Sequence, residues 1–250
     1  MSKLLYIFLA TYLCLTAQAA TADKMRLADD AYRNADYHKA AALYRQQLTD
    51  GASATVYYNL GNAYYRTDRI AEALLCYEKA KKMSPMDKDI QHNIDIARAR
   101  TIDRMPAETE MFFVGWYGYV QSLMTIDGWA QFAFVSLVVA LVLFLCFLFL
   151  NGMFVRRMAF YGSVVLLLFF IAGNVFAWQR KATLASHDAA IVMAETASVK
   201  TSPTLKATET CVIHEGTKVR ITDSDMKDWL GIRLSDGREG WILSKEVEKI

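Results

Sequence analysis

Few of the residues that carry enzyme chemistry or cross-link small secreted domains are present in this sequence. Its 250 residues include four cysteines, four histidines and three prolines. No CxxC pair and no HExxH, GxSxG, P-loop or GxGxxG motif occurs, so disulfide frameworks, metal centres and the commonest catalytic sites lack support. His38 and His214 lie beside predicted turns, which favours surface positions. We therefore expect a protein that is not an enzyme and that uses no metal ion or other cofactor.

A concentrated excess of positive charge is also lacking. The formal net charge is +2, and it arises from Lys3, Arg156 and Arg157 set against Asp127, because the remaining charges balance. Binding of nucleic acid requires a dense surface of lysine and arginine. Nucleic acid is therefore not an expected partner.

Charged residues are absent altogether from two long apolar runs, Ala130–Leu150 and Met158–Trp178. Each run has about the 20 residues that a helix needs to cross a bilayer. The alternative is a buried helical hairpin in a soluble protein, but adjacent uncharged runs of this length are rare in soluble cores. We expect transmembrane helices over residues 129–150 and 158–178, joined by a cytoplasmic loop over residues 151–157.

Two independent signals indicate that the flanking segments lie outside the cytoplasm. The only charges of the loop are Arg156 and Arg157, and positively charged loops remain in the cytoplasm. Residues 1–19 have the order of a cleavable signal peptide, with Lys3, a short apolar core over Leu4–Leu15, and small residues at the end. The sequence therefore predicts an inner-membrane protein with both folded domains in the periplasm.

Residues 20–104 have the spacing of a helical repeat. The best copy contains Tyr57-x-x-Leu60-Gly61-x-x-Tyr64, followed by Ala73, Tyr77, Ala80 and Pro85. This pattern resembles a tetratricopeptide repeat, in which two helices cross closely at small residues and a proline follows the second helix. A weaker copy one repeat earlier consists of Leu27, Ala28, Ala31, Tyr37, Ala40 and Tyr44. Residues Asp89–Arg100 would supply a capping helix or a helix of a third repeat, and Cys76 is expected to be a small core residue.

In tetratricopeptide proteins the first helices of successive repeats line a concave groove that binds peptides. The resemblance implies that the groove residues here are Asp29, Arg33, Tyr58, Asn62, Arg66 and His92. Asn62 and Arg66 lie one helical turn apart, so they could clamp a polar or carboxylate-ended peptide. Each of these residues could equally belong to an ordinary solvated face.

Two repeats and a capping helix leave an open end, since about three stacked units are usually needed for stability. The segment 105–128 is expected to be an amphipathic or interfacial linker. Its aromatic part, Met111–Met124, could cap the repeats or lie in the membrane interface. The sequence leaves both possibilities open.

Residues 188–250 contain short β-branched runs separated by turns, as in a small antiparallel barrel. They resemble a bacterial SH3-like domain at Val199-Lys-x-x-Pro203, Glu215-Gly216-x-x-Val219, Trp229 and Asp236-Gly237-x-x-Gly240-Trp241-Ile242. The resemblance implies binding of peptides or cell-wall material, with Trp229 and Trp241 as candidate contacts, although both also match fold-defining positions. The acidic run at Asp223, Asp225 and Asp228 lacks the glycine and glutamate of a calcium loop, so no metal site is expected.

The expected fold class is a multidomain α + β membrane protein with a tetratricopeptide repeat domain, a two-helix transmembrane hairpin and an SH3-like β-barrel. This order resembles the BatE family of the bacterial aerotolerance operon. The resemblance implies a non-catalytic protein-binding scaffold of the envelope that is associated with oxidative-stress tolerance, with von Willebrand A domain proteins as partners. The alternative is a module that binds or senses peptidoglycan or peptides through its SH3-like domain.

Two crossings return the chain to the side on which it started, so both folded domains should share one compartment. Reporters that are active only in the periplasm, fused after Arg104 and after Ile250, should therefore both be active. An inactive fusion after Ile250 would contradict the hairpin topology. Replacement of Arg156 and Arg157 by glutamate should weaken the orientation bias, because it removes the positive charge of the loop.

Overall fold

Consecutive helices form the N-terminal part of the chain in the computed structural model, which describes residues 23–104 and 112–250. The helices are α1 (residues 23–33), α2 (Tyr37–Asp50), α3 (Ala54–Arg66), α4 (Ile70–Met83) and α5 (Lys88–Arg98). Asp36, Ser53 and Asp87 cap the N-termini of α2, α3 and α5 by accepting hydrogen bonds from backbone amides. The predicted signal peptide, residues 1–19, lies outside the described residues.

The crossing of α3 and α4 depends on the absence of a side chain at Gly61. A Cβ atom there would lie 2.6 Å from Cε1 of Tyr77, so the tyrosine ring occupies the space that the glycine leaves. Ala73, Tyr64 and Tyr77 are buried in the same core, and α4 ends at Met83, just before Pro85. The positions predicted from the repeat spacing are confirmed here.

The weaker copy folds in the same way as the stronger one. Ala28, Ala31, Ala40 and Tyr44 are buried, and the turns within the two helix pairs have equivalent residues, Ala35 and Asp68, at positive φ. Leu27 is 56% exposed, whereas its counterpart Leu60 is 3% exposed. Ile90, Ile94 and Ala97 form the buried face of α5.

Cys76 is a core residue of α4, as its position in the helical pattern predicts. Burial raises the pKa of its thiol to about 12. A thiol needs a lowered pKa to act as a nucleophile at neutral pH. Cys76 is therefore a packing residue and not a reactive one.

The C-terminal part of the chain is an antiparallel sheet with the strand order β3-β2-β6-β5-β4-β1-β7. Its strands are β1 (Ala189–Val192), β2 (Thr196–Lys200), β3 (Glu209–His214), β4 (Lys218–Asp223), β5 (Trp229–Arg233), β6 (Glu239–Leu243) and β7 (Val247–Lys249). Val199, Ile213, Ile232 and Ile242 fill its core. Gly240 allows β2 and β6 to approach closely, since a Cβ atom there would lie 2.5 Å from Cγ1 of Val199.

The sheet and the helices belong to one compact unit, because the sheet packs on a face of α4. Leu75 forms a buried apolar cluster with Ile191 and Ile250. One helical turn away, Lys79 forms an ion pair of 3.0 Å with Glu248. One face of α4 is thus covered by the C-terminal sheet, a contact that the sequence does not predict.

Glu78 lies at the centre of this interface. It is 3% exposed, and its carboxylate is 2.5 Å from the guanidinium of Arg98 in α5 and 2.8 Å from the ammonium of Lys218 in β4. Burial alone would raise the pKa of Glu78, but the positive charges of Lys218 and Arg98 outweigh it and hold the pKa below its usual value. The carboxylate is therefore ionised and paired from both domains.

Asp103, just after α5, makes the second polar connection. Its carboxylate accepts hydrogen bonds from the backbone amide of His214 (2.6 Å), the ring Nδ1 of His214 (2.9 Å) and Oγ1 of Thr217 (2.7 Å). Burial would raise the pKa of Asp103, but these bonds more than offset it and lower the pKa. The prediction that His214 is a simple surface residue is wrong, because Asp103 draws its ring into the interface.

The turn between β3 and β4 fits closely against the helices. Gly216 has φ +80, and a Cβ atom there would lie 2.7 Å from Cγ2 of Thr101 and 3.2 Å from Cδ1 of Leu74. Both the left-handed conformation and the short approach favour glycine at this position. The glycine of the Glu215-Gly216 motif therefore serves the domain contact as well as the turn.

The second compact unit contains helices α6 (Phe112–Ser122), α7 (Ile126–Phe149) and α8 (Met153–Ala185). Helices α7 and α8 are both long and apolar enough to cross a membrane. They pack at small residues, since a Cβ atom on Gly173 would lie 3.1 Å from Cβ of Ala133. Arg156 and Arg157 lie in the first turns of α8, so the non-helical link after α7 is shorter than the sequence predicts.

Helix α6 holds most of the aromatic segment Met111–Met124. It packs on α8 within the hairpin unit, whereas the sheet packs on α4 of the repeats. Residues 105–111 of the predicted linker lie outside the described residues. Capping of the repeats and location in the membrane interface, the two possibilities left open for this segment, both stay predictions.

Substitution of Gly61 by alanine should destabilise the repeats, because the added Cβ atom overlaps the ring of Tyr77. Overpacking of this kind costs about 1–3 kcal/mol. Thermal unfolding of the purified full chain, followed by far-ultraviolet circular dichroism, should therefore begin at lower temperature. Gly51→Ala is the matched control, since a Cβ atom on Gly51 meets no atom within 4 Å. Equal melting of the two variants would contradict the described crossing.

Acid should weaken the contact between helices and sheet. Because the pKa values of Glu78 and Asp103 are lowered on folding, their contribution to stability is complete above the usual carboxyl pKa values, about 4, and is lost as the pH falls through the lowered values. Asp103→Asn should reduce stability at neutral pH and flatten the decline in acid, measured by denaturant unfolding at a series of pH values. The exposed Asp225→Asn is the control. If the free energy of unfolding varied with pH in the same way for wild type and Asp103→Asn, this role of Asp103 would be contradicted.

Candidate functional site

A groove follows the first helices of the repeats. It consists of two adjoining cavities of about 180 Å³ each, which share Tyr32 and Asn62. One is also lined by Asp29, Arg33, Tyr44 and Asn59, and the other by Tyr65, Arg66, Tyr77, Asn93 and Ile96. Enclosed sites for small molecules have volumes of about 300–1,000 Å³. Each of the two cavities is smaller than such a site.

Asn62 is the centre of a hydrogen-bond network beneath the groove. Its Oδ1 accepts bonds from the hydroxyl of Tyr77 (2.8 Å) and from Nδ2 of Asn93 (2.9 Å). Asn93 also donates to the hydroxyl of Tyr58 at 3.1 Å. The network connects α3, α4 and α5, so Asn62 contributes to the fold as well as to the lining.

Asp29 and Arg33 mark the end of the groove formed by α1. The hydroxyl of Tyr44 donates to Oδ1 of Asp29 at 2.6 Å, which fixes this carboxylate at the groove wall. The side chain of Arg33 is 78% exposed, and its contact with Asp30 is long, 3.9 Å. Exposed ion pairs of this kind contribute little, so the guanidinium can exchange this contact for a ligand at small cost.

Arg66 has a more defined position at the other cavity. Its guanidinium donates to the hydroxyl of Tyr37 at 2.6 Å and lies 4.9 Å from the centre of the same ring. Tyr37 in turn contacts Tyr32 edge to face, with ring centres 5.2 Å apart. This aromatic support orients the guanidinium while the side chain remains exposed.

The structure brings together four of the six residues predicted for this groove, namely Asp29, Arg33, Asn62 and Arg66. Tyr58 lies in the network behind them and contacts Tyr77, with ring centres 6.0 Å apart. His92 is exposed, but the described cavity linings contain its neighbour Asn93 instead. Tyr58 and His92 occupy equivalent positions in α3 and α5, one residue before the lining residues Asn59 and Asn93.

The sequence did not identify the tyrosine and asparagine residues that make up much of the lining. These are Tyr32, Tyr44, Asn59, Tyr65 and Asn93. Asn59 lies three residues before Asn62 on the same helix, and this spacing could have indicated that both face the groove. The sequence predicts Tyr44 and Tyr77 only as core residues, although the hydroxyl of Tyr77 donates to Asn62 and that of Tyr44 to Asp29.

The two candidate tryptophans of the sheet differ in accessibility. Trp229 is 8% exposed and is paired with Leu243 in the ladder of β5 and β6. Trp241 is half-buried and lies opposite Gly231 and Lys200 in neighbouring strands. A ligand could therefore contact Trp241, whereas Trp229 is mainly a packing residue.

Comparison with known families agrees with this division of the chain. Residues 54–87 match the sequence model of the family described as Tetratricopeptide repeat. Residues 195–248 match that of the Bacterial SH3 domain. No curated protein matches the chain. The predicted domain composition is thus confirmed, and both domains belong to classes that generally bind proteins or cell-wall material.

Loss of the Asn62 side chain should destabilise the repeats. Asn62→Ala leaves the hydroxyl of Tyr77, a residue only 1% exposed, without its acceptor, and an unsatisfied buried group costs about 1–3 kcal/mol. Asn62→Asp, which keeps an acceptor oxygen, should lose less. Arg33→Ala is the exposed control and should stay within about 0.5 kcal/mol of wild type. Unfolding in denaturant gives the free energy of unfolding of all three variants. A value for Asn62→Ala equal to that of wild type would refute the network.

Proposed function

We propose that this protein is a non-catalytic scaffold, anchored by α7 and α8 in a membrane, that binds a partner protein in the groove of its repeats. The observation that carries the proposal is the groove itself. Hydrogen bonds within the repeats fix its floor, and Arg33 and Arg66 remain exposed at its two cavities. A fixed polar floor with accessible cations suits the capture of a peptide segment.

The partner segment that fits best is an extended peptide with a carboxylate. Guanidinium groups form strong, charge-assisted hydrogen bonds to carboxylates. Asparagine side chains can donate to peptide carbonyls and accept from peptide amides, and tyrosine rings add apolar contact area. The sheet packs on α4 by way of Leu75, Glu78 and Lys79, so the lining residues of α1, α3 and α5 are not used by that contact.

The packing of the sheet on the repeats also supports the hairpin topology. The two halves of this compact unit precede and follow α7 and α8 in the sequence, so the intervening chain must return to the side from which it left. An even number of crossings satisfies this condition. Together with Arg156 and Arg157 in the first turns of α8, this favours an inner-membrane protein with both domains in the periplasm.

The resemblance to the BatE family extends the proposal to a biological role. It suggests an envelope complex that contributes to aerotolerance and to survival of oxidative stress, with von Willebrand A domain proteins as partners. The order of the repeats, two apolar helices and SH3-like domain supports this assignment.

A cell-wall binding or sensing module is the second candidate. The match of residues 195–248 to bacterial SH3 domains and the partial exposure of Trp241 favour it. Binding of purified peptidoglycan by the full chain, and its loss in Trp241→Ala, would support this role.

Replacement of Arg33 and Arg66 together by alanine should weaken partner capture without loss of the fold. Each charge-assisted hydrogen bond is worth about 1.5–3 kcal/mol, so affinity should fall at least tenfold. Cross-linking of solubilised membranes from the native host, with mass spectrometry, measures the capture. Arg26→Ala with Lys39→Ala is the control, since it removes the same charge from exposed positions outside the groove. Undiminished capture by the groove variant, with loss in a folded Trp241→Ala variant, would favour the second candidate.

A further inference from the structure

Helix α6 has an exposed apolar surface that the functions proposed for the repeats and the sheet do not explain. None of the residues Phe112–Ser122 carries a charge. Trp116 and Tyr119, followed by Leu123 after the helix end, have the spacing of one helix face. Their exposed fractions are 63%, 51% and 54%. An exposed strip of this composition indicates a binding surface.

The other side of α6 is attached to the hairpin. The ring of Tyr117 lies 5.8 Å from that of Phe176 in α8, and its hydroxyl donates to Oε1 of Gln179. Nε1 of Trp129 in α7 donates to the backbone oxygen of Gln121 at 3.0 Å. Tyr117 and Gln121 lie one turn apart on a different face from Trp116 and Tyr119. The contacts with α7 and α8 therefore leave the apolar strip open.

These contacts also fix the level of α6 along the hairpin. Its partners Trp129 and Phe176 lie near the start of α7 and in the last third of α8, close to Trp178, which is 70% exposed. Aromatic residues with a polar group are enriched where a bilayer meets water. The rings of α6 thus join Trp129 and Trp178 at the end of the apolar stretch where such a belt belongs.

We propose that α6 is a lipid-binding helix that lies in the head-group layer, with Trp116, Tyr119 and Leu123 inserted towards the acyl chains. This inference rests on the proposed membrane crossing of α7 and α8. A lipid surface fits the strip better than a protein does, because the indole N–H and phenol O–H groups reach water and head groups there without dedicated partners. Since α6 has no charge, its attachment should be independent of anionic lipid.

Tryptophan quenching by brominated lipid tests the proposal on the full chain. The protein is placed in nanodiscs of phosphatidylcholine that carries bromine either near the head group or near the end of the acyl chain. The chain has five tryptophans, so the contribution of each is taken as the difference between wild type and a variant with phenylalanine at that position. Trp116→Phe reports on α6, Trp178→Phe on the hairpin and Trp241→Phe on the sheet.

Both brominated lipids should quench the fluorescence contributed by Trp116. The lipid with bromine near the head group should quench it more strongly. This quenching should be unchanged when phosphatidylglycerol replaces part of the unlabelled lipid, and the Trp241 contribution should not be quenched. Quenching of Trp178 without quenching of Trp116 would overturn the lipid-binding role of α6 and leave the membrane anchor intact. Failure to quench either tryptophan would overturn the anchor itself, and with it this inference.

Discussion

The pairing of the buried Glu78 carboxylate from two directions is the constraint on which the first compact unit depends. A charge removed from water is tolerated only when it is paired and hydrogen-bonded, and Arg98 and Lys218 meet this requirement from α5 and β4. Loss of either partner would leave a buried charge incompletely compensated. The apolar cluster around Leu75 contributes buried apolar area, whereas Glu78 and Asp103 contribute polar contacts between the two domains.

This contact explains how so short a repeat array can be stable. A solenoid buries its faces against neighbouring units. The described residues before 105 form two helix pairs and one further helix, which offer few neighbours. The sheet supplies a further surface on α4, so the array gains burial without a third repeat. The groove residues on α1, α3 and α5 are thereby supported from behind by a domain that makes no use of them.

Local patterns in the sequence predicted the parts of the fold that local packing determines. Gly61 and Tyr77 were assigned correctly because the close crossing of two neighbouring helices imposes a fixed spacing. The partners of Asp103 and Asn62 could not be assigned in this way, since His214 and Asn93 reach them only after other elements have packed. The sequence therefore predicted which helices line the site. It did not predict the hydrogen bonds between the side chains of the site.

The ion pair between Glu78 and Lys218 also has a consequence for biogenesis. Its members are 140 positions apart in the chain, with both apolar helices between them. At synthesis rates of about 5–20 residues per second, the ribosome needs roughly 7 to 28 seconds to add this stretch. During that interval the repeats lack the surface of the sheet that covers α4, and Glu78 lacks its partner Lys218. The contact between the helices and the sheet can therefore form only after both apolar helices have been synthesised.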